Sequence, residues 1–292
     1  MESPLCLLSV HAHPDDESSK GAGTVAKYHA EGVRTVLVCC TGGEEGDILN
    51  PAMDRDEVRA DIAAVRRAEL DRAAAIIGYD VVELLGYRDS GMPDSEANAN
   101  PACFARAPFD EAVDRLAALV RRHRPQVVIT YGDEQQGYPH PDHLRVHDIT
   151  GPAIERAADA GWTSGGGEPW QVSKVYYSVW SKRRSELTHD KFLELGLESP
   201  YSDEWFKRPW QDERITTMVD IEGYADVRFD ALLAHETQID PTSPFWFGLP
   251  RDVSSAIHPY DDYIRAMSLV EAPDPEGDLF AGLRSPASSP AS

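Results

Sequence analysis

The sequence predicts an α/β fold: a mostly parallel sheet with helices on both faces, continued by a smaller, irregular α+β C-terminal part. Three observations predict it. Between residues 5 and 160, short apolar, β-branched runs alternate with segments whose apolar positions recur at helical spacing. The runs are continuously apolar, as strands covered on both faces are. Beyond residue 165 the alternation gives way to stretches rich in Gly, Pro and Trp. With 292 residues, 41% of them apolar, the chain can bury a sizeable core with a substantial annex.

The elements follow in order. Residues 5–10 (LCLLSV) form the first strand, which stops at His11-Ala12-His13-Pro14 because proline cannot donate to a ladder. Residues 18–31 read as a helix closed by Gly32, and 33–40 (VRTVLVCC) as the second strand. A helix over 55–77 ends at Gly78, and 81–85 is the third strand. A helix over 107–122 precedes Pro125 and a strand over 126–131; another helix spans 143–160. After the glycines at 165–167 come a strand over 172–180, a helix over 186–196 and a loop over 197–213 packed by aromatics. A strand over 216–221, a helix over 223–236, a structured surface loop over 240–259 and a last helix over 260–269 follow. The tail 285–292 (SPASSPAS) has no apolar residue but alanine and is expected to be disordered. The chain divides into a metal-binding core, 1–165, and a part, 166–284, that completes the sheet and the pocket.

Fifty acidic residues against 28 basic leave a net charge of −22. That balance argues against nonspecific nucleic-acid or anionic-membrane binding, both of which need concentrated positive charge. It still permits a small anionic substrate held by local basic residues. No apolar stretch approaches the roughly 20 residues that span a bilayer. The first apolar run has no basic region before it, so it does not read as a signal peptide. Cys6, Cys39, Cys40 and Cys103 have no metal-site spacing, and the adjacent pair lies inside an apolar run. Packing in a reducing, cytoplasmic compartment is the expectation.

Two polar clusters stand out. His13-Pro14-Asp15-Asp16-Glu17 directly follows the first strand, where open α/β sheets bind ligands. His13 and Asp16, three apart in a turn, can grip one ion, and imidazole with carboxylate suits zinc. Asp15 between them can serve as a general base if it is not a ligand. An ordinary acidic helix start is the plain alternative. The second cluster, Tyr138-Pro139-His140-Pro141-Asp142-His143, follows the fourth strand across the same crevice. One of its histidines would complete a three-ligand site with an open position, the catalytic zinc arrangement. If His143 ligates, His140 is free to stabilise an oxyanion or protonate a leaving amine, with Asp142 orienting it.

Such a site activates water and polarises a carbonyl. Amide or ester hydrolysis follows more naturally than phosphoryl transfer, because no phosphate-binding glycine loop is present. A phosphoesterase would commonly need a second metal, and a glycosidase would not need this histidine set. A sugar-binding module without catalysis is the non-enzyme alternative, and it would have no use for Asp15. The loops at 42–47 and 87–91 follow the second and third strands and can line the same pocket. Arg66, on a helix, reads alone as a solvated side chain.

HAHPDDES (11–18), TGGEEGD (41–47), YRDSG (87–91) and YPHPDH (138–143), in this order, resemble the PIG-L/LmbE-type deacetylase superfamily. The resemblance spans residues 5–245 and includes GEPW, KVYY and HETQIDP. It implies a Rossmann-like fold and zinc-dependent hydrolysis of N-acylglucosamine amides, with one Zn(II) per chain; Fe(II) would suit the same ligands. It places metal ligands on His13, Asp16 and His143, the general base on Asp15 and a second active-site histidine on His140. It puts a pocket-loop tyrosine on Tyr138 and sugar- and inositol-side residues on Asp47, Arg66 and Asp89. Ser19-Lys20 is similar to the branch that cleaves mycothiol S-conjugates, where a lysine here accompanies recognition of the larger thiol substrate. The sister branch deacetylates acetylglucosaminyl-inositol, and related amidases process a single biosynthetic conjugate. Residues 242–270 depart from the pattern. Phe245, Trp246 and Phe247 there are expected to wall the pocket mouth against an S-substituent.

Overall fold

The computed structural model describes residues 4–133, 135 and 137–284. In chain order, β1 (Cys6–His11), β2 (Arg34–Thr41), β3 (Val81–Tyr87), β4 (Val127–Thr130) and β5 (Lys174–Val179) pair in parallel. With β6 (Thr217–Asp220) and β7 (Tyr260–Ser268) they form a seven-stranded sheet ordered β3-β2-β1-β4-β5-β7-β6. Strand β7 runs antiparallel to both of its neighbours. The result is a Rossmann-like, mostly parallel sheet with helices on both faces.

The helices are α1 (Asp16–Ser19), α2 (Ala22–Ala30), α3 (Asp56–Ala60), α4 (Ile62–Ile77), α5 (Glu96–Ala99) and α6 (Phe109–His123). They continue as α7 (Pro141–Ala158), α8 (Lys182–Glu194), α9 (Val227–Ala234), α10 (Pro244–Phe247) and α11 (Arg251–Ile257). Alternate strand residues serve opposite layers. Leu8, Val10, Val36 and Val38 pack with Val113 and Leu116 of α6 and Val146 and Ile149 of α7. Leu7, Leu37 and Ile129 pack with Val25 of α2, Leu70 and Ala73 of α4 and Ala231 of α9. Every residue of β1 is buried, which is why its sequence is an unbroken apolar run.

Several boundaries differ from the sequence expectation. The helix expected over 55–77 is interrupted at Asp61, whose side chain accepts the Ala64 N–H and caps α4. The helix expected from residue 143 starts at Pro141, with His140 as its cap. Proline suits that first position because its missing N–H would go unpaired anyway. The surface loop over 240–259 carries α10 and α11. The last helix, expected over 260–269, is instead β7. Tyr260, Tyr263 and Ile264 favour strands, and β5 and β6 satisfy both edges of the segment, which outweighs its weak helical spacing. The tail 285–292 lies outside the described residues.

At the amino end of β5, away from the carboxyl-end crevice, fully buried Lys174 pairs with Glu276. The Glu276 carboxylate also accepts from Tyr176 Oη at 2.6 Å and Thr217 Oγ1 at 3.1 Å. Glu276→Ala leaves the lysine charge buried and unpaired. We expect a stability loss of about 3–5 kcal/mol in urea unfolding. Lys174→Met with Glu276→Leu should recover most of it.

Candidate active site

The chain steps from β1 to β2 to β3 in one direction, then returns β4 to the other side of β1. Connections leaving β1 and β4 therefore diverge, and a crevice opens at their carboxyl ends. The turn at 13–17 fills one lip, and the start of α7 fills the other.

Across this crevice the ligand atoms of His13, Asp16 and His143 lie within 4.8 Å of one another. Asp16 Oδ2 is 3.5 Å from His13 Nδ1 and 3.4 Å from His143 Nε2. The same oxygen accepts from Tyr131 Oη at 2.7 Å, and Lys20 Nζ pairs with Oδ1. The Tyr131 ring stacks on His143 at 4.6 Å. Behind His13, the carboxylate of fully buried Asp142 accepts from Nε2 at 3.2 Å. That bond fixes the tautomer and turns the Nδ1 lone pair toward Asp16 and His143, as second-sphere carboxylates do for metal-bound histidines. Two imidazoles and a carboxylate suit zinc, so the donor set fits the ion. A second group, His13, Asp89 and His140, shares His13. The two describe a single centre per chain for one divalent ion such as zinc.

Local electrostatics set the charge of each group before a metal binds. Burial pushes His143 down to about 4, so it is neutral and able to ligate at physiological pH. Burial alone would raise Asp16, but Lys20 and His143 hold it well below the usual carboxylate range. Burial works against charge on His13 as well, yet the carboxylates of Asp142, Asp16 and Asp89 keep that imidazole well above its ordinary value.

Asp15 sits at φ 111°, a left-handed conformation that costs a non-glycine residue about 1–3 kcal/mol. Its N–H donates to Glu17 Oε2 at 2.9 Å, and its carbonyl accepts from Ser18 and Ser19. Glu17 Oε1 in turn meets His235 Nε2 at 2.7 Å, both side chains being fully buried. Gln238 Nε2 donates to the Pro14 carbonyl at 2.5 Å, and Thr237 bonds Glu69 of α4 through its N–H and Oγ1. Residues 235–238 thus hold the turn from behind. Burial, reinforced by the Asp16 charge, pushes the Asp15 carboxyl up to about 7.

A cavity of about 660 Å³ runs along this carboxyl edge. On the β2 and β3 side it is lined by Asp47, Arg66 and Asp89; on the β5 side by Trp180, Trp205, Phe245 and Trp246. Arg66, which reads from sequence as a solvated helix residue, is fully buried. Its Nη2 donates to the Gly46 and Asp47 carbonyls, while Nε and Nη1 have no partner among the described residues. A Cβ on Gly46 would stand 2.7 Å from Arg66 Nη1, so a larger residue there would displace the guanidinium. Asp47 itself is exposed at the rim. Asp89 is buried, with Oδ1 3.6 Å from His13 Nε2 and accepting the Gly91 N–H at 2.8 Å. Tyr138 stands 47% exposed at the mouth, its ring 5.5 Å from that of His143.

A family profile described as PIG-L, GlcNAc-PI de-N-acetylase, matches residues 8–154. The chain belongs to the PIG-L family. It is 46% identical to the mycothiol S-conjugate amidase of Streptomyces coelicolor, over 97% of this chain and 99% of that protein. It is 38% identical to a 1D-myo-inositol 2-acetamido-2-deoxy-alpha-D-glucopyranoside deacetylase of Thermobispora bispora, over 86% of this chain and 84% of that one. Among solved structures, the 4-carboxy-2-hydroxymuconate hydratase GalB of Pseudomonas putida superposes with a TM-score of 0.61 at 20% identity, covering 92% of this chain and 99% of that chain. At that identity the likeness speaks for the fold alone. Family membership and the His/Asp centre make this chain a metal-dependent hydrolase of the amidase and deacetylase type.

In this PIG-L chain one sequence expectation is corrected. The Asp142 carboxylate turns to His13 and Ser90, not to His140. Only the Asp142 backbone N–H reaches His140, at Nδ1 and 3.2 Å. The earlier helix start makes His140 the cap residue and turns the Asp142 side chain inward. Sequence reasoning missed the support given by Tyr131, Glu17 and His235. HETQIDP was a visible motif, but its polar residues had no assignable partner without the fold. Among the described residues, no helix is long and apolar enough to cross a membrane.

Two measurements follow. Alanine at His13, Asp16 or His143 should strip the purified protein of zinc by elemental analysis. Asp142→Ala should weaken zinc binding by about 10–100-fold in a chelator competition, as loss of a second-sphere carboxylate does. Unchanged affinity in Asp142→Ala would detach that residue from the metal centre.

Proposed function

We propose that the chain hydrolyses the cysteinyl–glucosamine amide of mycothiol S-conjugates, releasing an N-acetylcysteine S-conjugate and glucosaminyl-inositol. The carrying observation is the cavity's two unlike halves, polar beyond β2 and β3 and aromatic beyond β5, with the His/Asp centre between them. An amide joining a polyol amine to a bulky thiol adduct has this shape, whereas an acetyl group leaves the aromatic half unused. The 46% identity to the Streptomyces amidase supports the same choice. Deacetylation of acetylglucosaminyl-inositol is the second reading, favoured by the 38% relative.

Under this reading His13, Asp16 and His143 hold zinc, which supplies Lewis-acid polarisation of the carbonyl and an acidified water. Asp15, whose burial keeps its proton affinity high, takes the proton of the attacking water and passes it to the leaving amine. His140 is kept neutral chiefly by burial. Its Nδ1 accepts the Asp142 N–H, so Nε2 carries the proton and donates to the developing oxyanion. Asp47, Arg66 and Asp89 take the glucosaminyl-inositol side, with Tyr138 closing the mouth. Lys20, paired with Asp16 and lining the cavity, takes the acetylcysteine side. The metal core at 1–165 and the pocket-completing part at 166–284 divide the work in the same way. Four buried, unpaired cysteines support a cytoplasmic setting.

A free-amine assay on a mycothiol S-conjugate and on acetylglucosaminyl-inositol tests the choice. The expected kcat/KM is higher for the conjugate; a preference for the acetyl compound would replace the first reading with the second. Asp15→Ala should keep its zinc and lose turnover by roughly 10²–10⁴-fold. Near-normal turnover in that zinc-loaded variant would refute the base. Lys20→Ala should cost conjugate cleavage about tenfold more than deacetylation, the value of one charge-assisted hydrogen bond.

A further inference from the structure

The aromatic half of the cavity has its own chemistry. Trp180, which follows β5, stacks on Phe245 of α10 with ring centroids 6.0 Å apart and planes 24° from parallel. Trp246 meets Phe245 edge-on at 4.8 Å, and Trp205 lies 5.4 Å from Phe245. All four rings remain half-buried and line the cavity. A wall of large rings lining a pocket is the surface that a flat apolar group covers.

The charges on this wall are not balanced. Arg184 lies over Trp180 and is answered by the carboxylates of Asp261 and Asp262. Arg208 lies 3.7 Å from the Trp205 ring centroid, and its guanidinium donates to no acceptor among the described residues. Burial nudges Arg208 down from its ordinary value, and among the described residues no carboxylate lifts it. In a chain of net charge −22, a half-buried cation with no acidic partner among the described residues is a local site that can attract an anion. Guanidinium stacked on indole still presents its edge donors for bidentate binding of a carboxylate.

Position decides which part of a substrate reaches this wall. The polyol-side residues follow β2 and β3, the metal cluster sits at β1 and β4, and Trp180 follows β5, next to β4 in the sheet. A substrate amide at the centre, with its amine toward β2, sends its acyl part toward β5. Resting on the amidase reading above, we infer that the Trp180, Trp205, Phe245, Trp246 and Arg208 wall is a subsite for a planar aromatic S-substituent carrying a carboxylate. The ring lies against the indoles, and the carboxylate meets Arg208.

Three synthetic conjugates of mycothiol test this: S-methyl, S-benzyl and S-(4-carboxybenzyl). For the zinc-loaded full chain, kcat/KM should rise about tenfold from methyl to benzyl through ring burial. It should rise about tenfold again from benzyl to carboxybenzyl through the charged hydrogen bond. Arg208→Met, which keeps an apolar stem on Trp205, should bring the carboxybenzyl-to-benzyl ratio to about one. Trp246→Ala should shrink the benzyl-to-methyl ratio. Equal rates for the three conjugates in wild type would overturn the subsite while leaving the amidase reading standing. So would an Arg208→Met variant whose carboxybenzyl-to-benzyl ratio stays at the wild-type value. Cleavage of none of the three, alongside release of acetate from acetylglucosaminyl-inositol, would remove the amidase reading and the subsite with it.

Discussion

The reversal of strand order at β1 is the constraint on which the rest depends. Because β2 and β4 flank β1 on opposite sides, no connection covers its carboxyl end, and two short polar segments face each other there. The sheet supplies rigidity: β1 and β4 are buried throughout. The segments supply donors. A hydrogen bond from His13 to Asp142 then crosses the gap and joins the two lips. Ion binding, proton transfer and pocket shape all follow from geometry set by this join.

Much of this was legible in the sequence because the ligand types are concentrated. His13, Asp15, Asp16, His140, Asp142 and His143 occupy two short segments, each placed by a strand whose apolar run is easy to read. What was not legible depends on register or on remote partners. The orientation of Asp142 turns on α7 starting at Pro141, two residues before the periodic pattern suggests. Arg66 of α4 is buried under the loop that follows β2, where the Gly46 and Asp47 carbonyls accept from its guanidinium and Gly46 leaves space beside it. Strand β7 is made by ladders to β5 and β6, partners that local spacing cannot reveal.

The sheet edge sorts chemistry by strand. Loops beyond β2 and β3 carry carboxylates and α4 adds Arg66, suited to hydroxyl groups, while the connection beyond β5 carries indoles. The muconate hydratase that shares this architecture illustrates how little the sheet alone decides. Specificity resides in the connections, and the segment at 242–270 contributes both α10 and β7.

The bond between Glu17 and His235 has a consequence for how the protein is made. The left-handed turn at Asp15 leaves the ribosome well before His235 and Gln238, which lock it. At ordinary elongation rates the two are separated by roughly 10–40 s of synthesis. During that interval β1 to β5 can assemble while the turn lacks its backing. The nascent sheet can therefore form before the reactive turn gains the partners that hold it.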